Sequence, residues 1–263
     1  MSSPAYICFD CETRPLPDLV TKYAKPYPDF DEATVRYGNT KDPAKRSDLL
    51  ASKRIDHEEG RGAYWSYMHD RAALDPFTGA IVCIGIIAQN GEPEIIAEAT
   101  EAATIRQFWW VFALSTNATT KFVFWSGSGD VSKNFDIDFI VTRSRILRIP
   151  LPHRVRNGRY YDGRIIDLSS EFLLLQRDRF LKLTVAADML GLYQDHKDIF
   201  PKTEQDAVQG ADFWKFWDGV ALASEIPNHP GIAFTRTEQR ALAVQYLGND
   251  LLTTKYLAAH ILS

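Results

Sequence analysis

A chain of 263 residues is long enough to bury a substantial core, as one large domain or two small ones. With 45% hydrophobic and 24% charged residues, no apolar run of spanning length and no charged-then-apolar N-terminal pattern, it reads as a cytoplasmic globular protein without a membrane partner. A net charge of −4 gives no global attraction to phosphate backbones, so any nucleic-acid binding needs local basic patches, and three cysteines are an odd number that argues against a disulfide framework.

The first element is the stretch Ala5 to Thr13, an apolar run with aromatic and β-branched residues that is stopped by Pro15 and Pro17. It predicts a buried strand closed by Asp10 and Glu12. Side chains two apart on a strand share a face, so both carboxylates leave together at the kind of edge where open α/β sheets collect ligands. Paired acids raise each other's proton affinity unless a cation intervenes, and oxygen ligands without a nearby histidine suit Mg²⁺ or Mn²⁺. Two readings stay open for the stretch: half of a metal site, or a strand end that happens to be acidic. Cys8 and Cys11 spell CxxC, but three positions along a strand place the sulfurs on opposite faces, and no second CxxC exists to complete a zinc site.

The interval from Pro17 to Ala73 shows no strong strand pattern. It predicts two short helices, near Leu19 to Ala24 and Ala44 to Arg54, and reads as an insertion of a single decorated domain, draped over the core. Lys45, Arg46, Lys53 and Arg54 could touch phosphates from a helix face or simply be solvated. Turn chemistry at Leu74 to Gly79 feeds a β run from Ala80 to Ala88, Asn90-Gly91 is a hairpin signal, and a third strand follows at Glu94 to Glu98.

Thr104 to Leu114 carries Ile105, Phe108, Trp109 and Phe112 at helical spacing, and Lys121 to Trp125 reads as a buried fourth strand. Ser126 to Asp130 looks like a phosphate-cradling loop, yet no Lys-Ser/Thr follows and a flexible turn accounts for it better. A helix from about Lys133 to Leu147 then places Asp136 in its first turn, where the helix dipole favours a carboxylate and ordinary capping would explain it equally. Arg154, Arg156, Arg159 and Arg164 surround Tyr160 and Tyr161, a pattern that fits either a single-strand grip or a twisted hairpin. Arg164 to Leu168 is the fifth strand, with Asp167 as the cap of the helix through Phe172 and Leu175. Helices follow at Leu183 to Leu190, stopped by Gly191, at Glu204 to Ala223 and at Glu238 to Leu262.

In the last helix Tyr246 and Asp250 are four apart, one above the other on one face, with Leu247, Leu251 and Leu257 toward a buried side. Packed against the end of the first strand, that helix would bring Asp10, Glu12, Asp136 and Asp250 into one four-carboxylate cage.

The order Phe9-Asp10-Cys11-Glu12-Thr13, then Asn134-Phe135-Asp136, then Tyr246-Leu-Gly-Asn-Asp250 resembles the three exonuclease motifs of the DEDD superfamily. Tyrosine four residues ahead of the final aspartate, with Gln245 where a histidine would stand, points to the DEDDy branch. Further landmarks at Leu74 to Ile84, Tyr160 to Leu168 and Leu183 to Leu190 look like the stand-alone predicted 3′-5′ exonucleases related to the proofreading domain of family B DNA polymerases. The resemblance covers most of the chain from Tyr6 to Leu257, and the long Pro17 to Ala73 interval departs from it.

The resemblance implies an α/β, ribonuclease H-like fold, with a five-stranded mixed sheet in the order 3-2-1-4-5, strand 2 antiparallel and helices on both faces. It implies two Mg²⁺ or Mn²⁺ ions bound by Asp10, Glu12, Asp136 and Asp250. In that scheme Asp10 bridges both ions, Glu12 and Asp250 serve the water-activating ion, Asp136 holds the second, and Tyr246 aims the attacking water. The implied substrate is the 3′ end of single-stranded DNA, with no evident protein partner. An RNA-trimming or short-oligonucleotide exonuclease is the alternative, and a non-catalytic nucleic-acid-binding module of the same fold is a third reading.

Overall fold

The computed structural model describes residues 6–114, 120–126, 135–152, 164–173, 181–195, 208, 212–221 and 234–262. In chain order the elements are β1 (Tyr6–Pro15), α1 (Pro17–Tyr23), α2 (Pro43–Ala72), β2 (Gly79–Ala88), β3 (Glu94–Ile96), α3 (Glu101–Leu114) and β4 (Lys121–Phe124). Then come α4 (Phe135–Ile146), β5 (Ile165–Asp167), α5 (Leu168–Leu173), α6 (Leu183–Met189), α7 (Leu192–Asp195), α8 (Phe213–Asp218) and α9 (Arg236–Ile261). Among the described residues no helix is long and apolar enough to cross a membrane.

The chain divides into two compact units, residues 1–14 with 80–263, and residues 15–79. The first is built on a five-stranded sheet in the order β3-β2-β1-β4-β5. β1 and β4 run parallel with Tyr6 opposite Lys121 and Cys8 opposite Val123, and β4 and β5 run parallel with Phe124 opposite Asp167. β2 and β3 are antiparallel, with Ile84 opposite Ile96. The Gln89 N–H donates to the Tyr6 carbonyl at 3.0 Å, which sets the end of β2 beside the start of β1, as antiparallel neighbours require.

Alternation along the strands divides the core. Phe9 and Cys11 of β1, Ile84 and Ile86 of β2, and Phe122 and Phe124 of β4 pack with α3 and α4. Tyr6 and Cys8, Cys83 and Ile87, and Val123 pack instead with α5, α6, α8 and α9. Cys8 and Cys11 thus fall in opposite clusters, and all three cysteines are free and buried. Burial drives each thiol's proton affinity up, leaving small apolar packing groups rather than metal ligands.

In the second unit the Leu16 N–H donates to the Thr78 carbonyl at 2.8 Å, pinning the entry of the segment to its exit. α2 begins where Asp42 accepts from the Ala44 N–H at 3.0 Å and Pro43 supplies a pre-set φ. It runs 30 residues, well past the expected stop at Arg54. Gly60, which counts against a helix by propensity, faces the Tyr27 side chain: a Cβ on it would lie 2.6 Å from the Tyr27 hydroxyl. Tyr27 packs at that point against His57 and Tyr64, with ring centroids 4.8 and 5.3 Å away. The basic residues flagged in this helix are partly engaged locally. Arg46 lies over the Tyr37 ring and donates to the Thr40 carbonyl, Lys53 pairs with Asp56, and Arg54 pairs with Glu32 and lies over Phe30.

Candidate active site

β1 does not stop at Glu12 but continues to Pro15, where a missing N–H costs no ladder bond. Asp10 and Glu12 therefore lie within the strand, and the space before them comes from β4, which ends at Phe124 and is last registered with β1 at Cys8. The alternation that puts Tyr6 and Cys8 on the α9 side carries Asp10 and Glu12 to the same side.

α4 supplies the third acid. Asp136 sits in its first turn, and its Oδ1 accepts from the Cys11 backbone N–H at 3.1 Å. That bond ties the start of the helix to the strand segment between the two β1 acids. It has no sequence signature, since any residue at position 11 offers the same donor. Asp136 and Asp10 also share a side-chain hydrogen bond. Burial raises the proton affinity of both; repulsion from Asp10 and the shared bond raise Asp136 further, while the Cys11 N–H opposes the rise. Both carboxyls of the pair are thus pushed above the usual carboxylate range, burial being the first cause for each.

α9 supplies the fourth acid and the phenol. Its start is fixed by a reciprocal cap, in which Glu238 N–H donates to Thr235 Oγ1 and Thr235 N–H donates to Glu238. Its approach to the sheet is fixed by Gly85 of β2. A Cβ at that position would stand 2.7 Å from Leu251 Cδ1 and 3.0 Å from Leu247, so the two leucines rest directly on the strand backbone. Tyr246 and Asp250 immediately precede those leucines and are hydrogen-bonded to each other. The Tyr246 ring also packs on Phe213 of α8 with centroids 6.2 Å apart.

Glu12 records the convergence. Its carboxyl is raised well above the usual range, first by burial and then by Asp10, Asp250 and Asp136, acids from three separate elements. Tyr246 is raised by burial and by Asp250, Glu12 and Asp10, which makes its phenol a neutral hydrogen-bond donor at any ordinary pH. Asp10, Asp136 and Asp250 are thus near enough to act on Glu12, and Asp10, Glu12 and Asp250 near enough to act on Tyr246.

Asp167 stands apart from them. Its carboxylate accepts from the Ser169 N–H at 3.0 Å and from the hydroxyls of Ser126, Ser169 and Ser170, which is the expected cap role extended to the exit of β4. Residues 127–134 and 153–163, which include the Gly-Ser-Gly loop, Asn134, Arg154, Arg156, Arg159, Tyr160 and Tyr161, lie outside the described residues. Arg164 lies over the Phe112 ring at 5.5 Å.

Four carboxylates and a phenol, without histidine, are the donor set of a hard divalent cation. The raised proton affinities are those of buried acids gathered close to one another. These donors close on one another in hydrogen-bonded pairs, and among the described residues no three His, Cys, Asp or Glu side chains form a ready-made cage. The donor chemistry fits a divalent cation, and binding would exchange the shared protons for the ion.

No protein-family model matches the sequence. No curated protein matches it either. In structure the chain is similar to the family B DNA polymerase from the hyperthermophilic archaeon Pyrobaculum calidifontis, with a TM-score of 0.54 and 15% identity. The match covers 98% of this chain and 24% of the polymerase. Together with the strand order β3-β2-β1-β4-β5, that likeness establishes a ribonuclease H-like α/β fold.

Proposed function

We propose that the protein is a DEDDy-type, metal-dependent 3′-5′ exonuclease that hydrolyses phosphodiester bonds from the 3′ end of single-stranded DNA in the cytoplasm. The observation that carries this reading is the meeting of Asp10 and Glu12 of β1, Asp136 of α4, and Tyr246 and Asp250 of α9 on one side of β1. The motif resemblance and the structural likeness to a family B polymerase point the same way. Residues 15–79 are, in this reading, an insertion between β1 and β2 of one exonuclease domain.

Two Mg²⁺ or Mn²⁺ ions held by Asp10, Glu12, Asp136 and Asp250 would supply an activated water and neutralise charge on the departing 3′ oxygen. Asp10, hydrogen-bonded to Asp136 and near enough to act on Glu12, would be the carboxylate that serves both ions. Asp136, set by the Cys11 N–H, would hold the second ion, beside the leaving group. Tyr246, with a phenol raised by burial and by the neighbouring acids, is a poor base and would aim the nucleophile through a hydrogen bond beside Asp250.

The test is a 5′-labelled single-stranded DNA oligonucleotide incubated with Mg²⁺ or Mn²⁺, beside its RNA counterpart. Shortening from the 3′ end, faster on DNA and lost in Asp10→Ala, is expected. Absence of 3′ shortening with either ion, or wild-type rate in Asp10→Ala, overturns the reading.

A further inference from the structure

An acidic site repels the polyanion it is proposed to cut, and the net charge of −4 gives no compensating attraction. Cations must therefore stand locally beside the site. Arg14 follows Glu12 by two positions on β1, so it leaves the strand on the same face about 7 Å further along. Its guanidinium reaches Asp218, the last residue of α8, at 3.4 Å, with the two side chains 46% and 31% exposed. A pair that long and that open to water is worth little and is readily exchanged for a phosphate.

Arg240 of α9 arrives at the same turn of α8. Its guanidinium lies 4.3 Å from the ring centroid of Trp217, the residue before Asp218. Trp217 is fixed in turn by stacking on Phe213, with centroids 5.7 Å apart and planes at 22°. Among the described residues Arg240 pairs with no carboxylate. A guanidinium held over an aromatic ring keeps its charge and its N–H donors, the groups that grip a phosphate. Arg240 also stands close enough to Cys83, on the site side of β2, to oppose the upward push that Glu12 and Asp10 exert on that thiol.

We propose that Arg14 and Arg240, meeting at the last turn of α8, form a phosphate-binding rim for a single-stranded nucleic acid whose 3′ end enters the acid cluster. The inference rests on the exonuclease reading for the direction of the strand. Trp217 is the positioning residue of this rim, holding the Arg240 guanidinium without neutralising it.

The experiment titrates a short fluorescein-labelled oligothymidylate by fluorescence anisotropy in EDTA, so that binding is read without hydrolysis. Wild type is compared across a salt series with Arg14→Ala/Arg240→Ala and Arg14→Lys/Arg240→Lys, each checked by its melting temperature. Loss of each arginine is expected to weaken binding about fivefold near 0.1 M salt and to lower the logarithmic salt slope by about 0.7, while the lysine pair keeps the slope. Wild-type affinity and slope in the alanine pair overturn the rim, as does a wild-type protein that binds no strand. A protein that binds through the arginines yet shortens no strand with Mg²⁺ or Mn²⁺ overturns the exonuclease reading and leaves the rim standing. Hydrolysis with unaltered binding in the alanine pair does the reverse.

Discussion

The two faces of β1 are built from different materials. Toward α3 and α4 the strand offers Phe9 and Cys11, and the layer is filled by rings: Phe9 against Phe108 and Phe124 at 5.3 Å, Phe112 against Phe122 at 4.3 Å. Toward α9 the sheet offers Cys8, Cys83 and Gly85, with Ala243, Leu247 and Leu251 seated over them. Large side chains hold helices away from a sheet and supply most of the apolar burial; small ones let a helix come down onto the backbone. The aromatic face contributes stability, and the small-residue face uses part of it to hold buried acids within reach of one another.

Removing one acid should separate these contributions most sharply. Asp10→Ala is expected to abolish hydrolysis, a loss on the order of a thousandfold or more, while leaving the fold intact, because one member of a repelling set is gone. A calorimetric melt run beside the nuclease assay checks both halves. Phe108→Ala should do the opposite: about 3–5 kcal/mol of unfolding free energy lost from a fully buried ring, with the surviving folded protein still active. If Phe108→Ala instead lost activity at constant stability, the division of labour between the faces would be wrong.

Smaller changes act on the acid face alone. Tyr246→Phe removes the hydroxyl beside Asp250 but keeps the contact with Phe213, so turnover should fall about a hundredfold with the metal requirement unchanged. An unchanged turnover would reduce Tyr246 to packing. Gly85→Ala inserts a methyl where Leu251 Cδ1 already lies 2.7 Å from the Cβ position. It should cost about 1–3 kcal/mol and lower activity as well, because the leucines it displaces are the neighbours of Tyr246 and Asp250. Restored activity in Gly85→Ala combined with Leu251→Ala would locate the effect in the height of α9.

Much of this was legible in the residues. Period-two alternation at Tyr6, Cys8, Asp10 and Glu12 gives the face of the acids, and the four-residue spacing of Tyr246 and Asp250 gives their stacking on one helix. Strand order was not readable from periodicity; it came from the motif resemblance, and the register of β1, β4 and β5 agrees. The extent of β1 was misjudged because Pro15 reads as a stop, whereas a proline can end a strand as its last member. The length of α2 was misjudged because Gly60 and the mixed charges mask a stripe whose partner, Tyr27, lies 33 positions away in sequence. Neither the Cys11 N–H that sets Asp136 nor the turn of α8 that gathers Arg14 and Arg240 has any local signature, since one is backbone and the other joins three separate elements.

The faces should also differ in their response to pH. Glu12 and Asp136 have raised folded-state proton affinities, with burial as the first cause. A carboxyl raised on folding favours the folded state while protonated; that contribution is complete below the ordinary value near 4 and is lost as pH rises through the raised value. In EDTA, therefore, the melting temperature should fall from mildly acidic toward alkaline pH, by about 2–4 °C for each kcal/mol withdrawn. Glu12→Gln should flatten the fall, because the amide neither titrates nor repels Asp10, whereas Phe108→Ala should lower the whole curve without changing its shape. Mn²⁺ should raise the melting temperature more at the alkaline end than at the acidic end, since there the ion binds carboxylates with no proton left to displace. A metal-free profile that is level across this range would mean that the acids of β1, α4 and α9 do not strain the fold, and the contrast between the two faces would lose its electrostatic half.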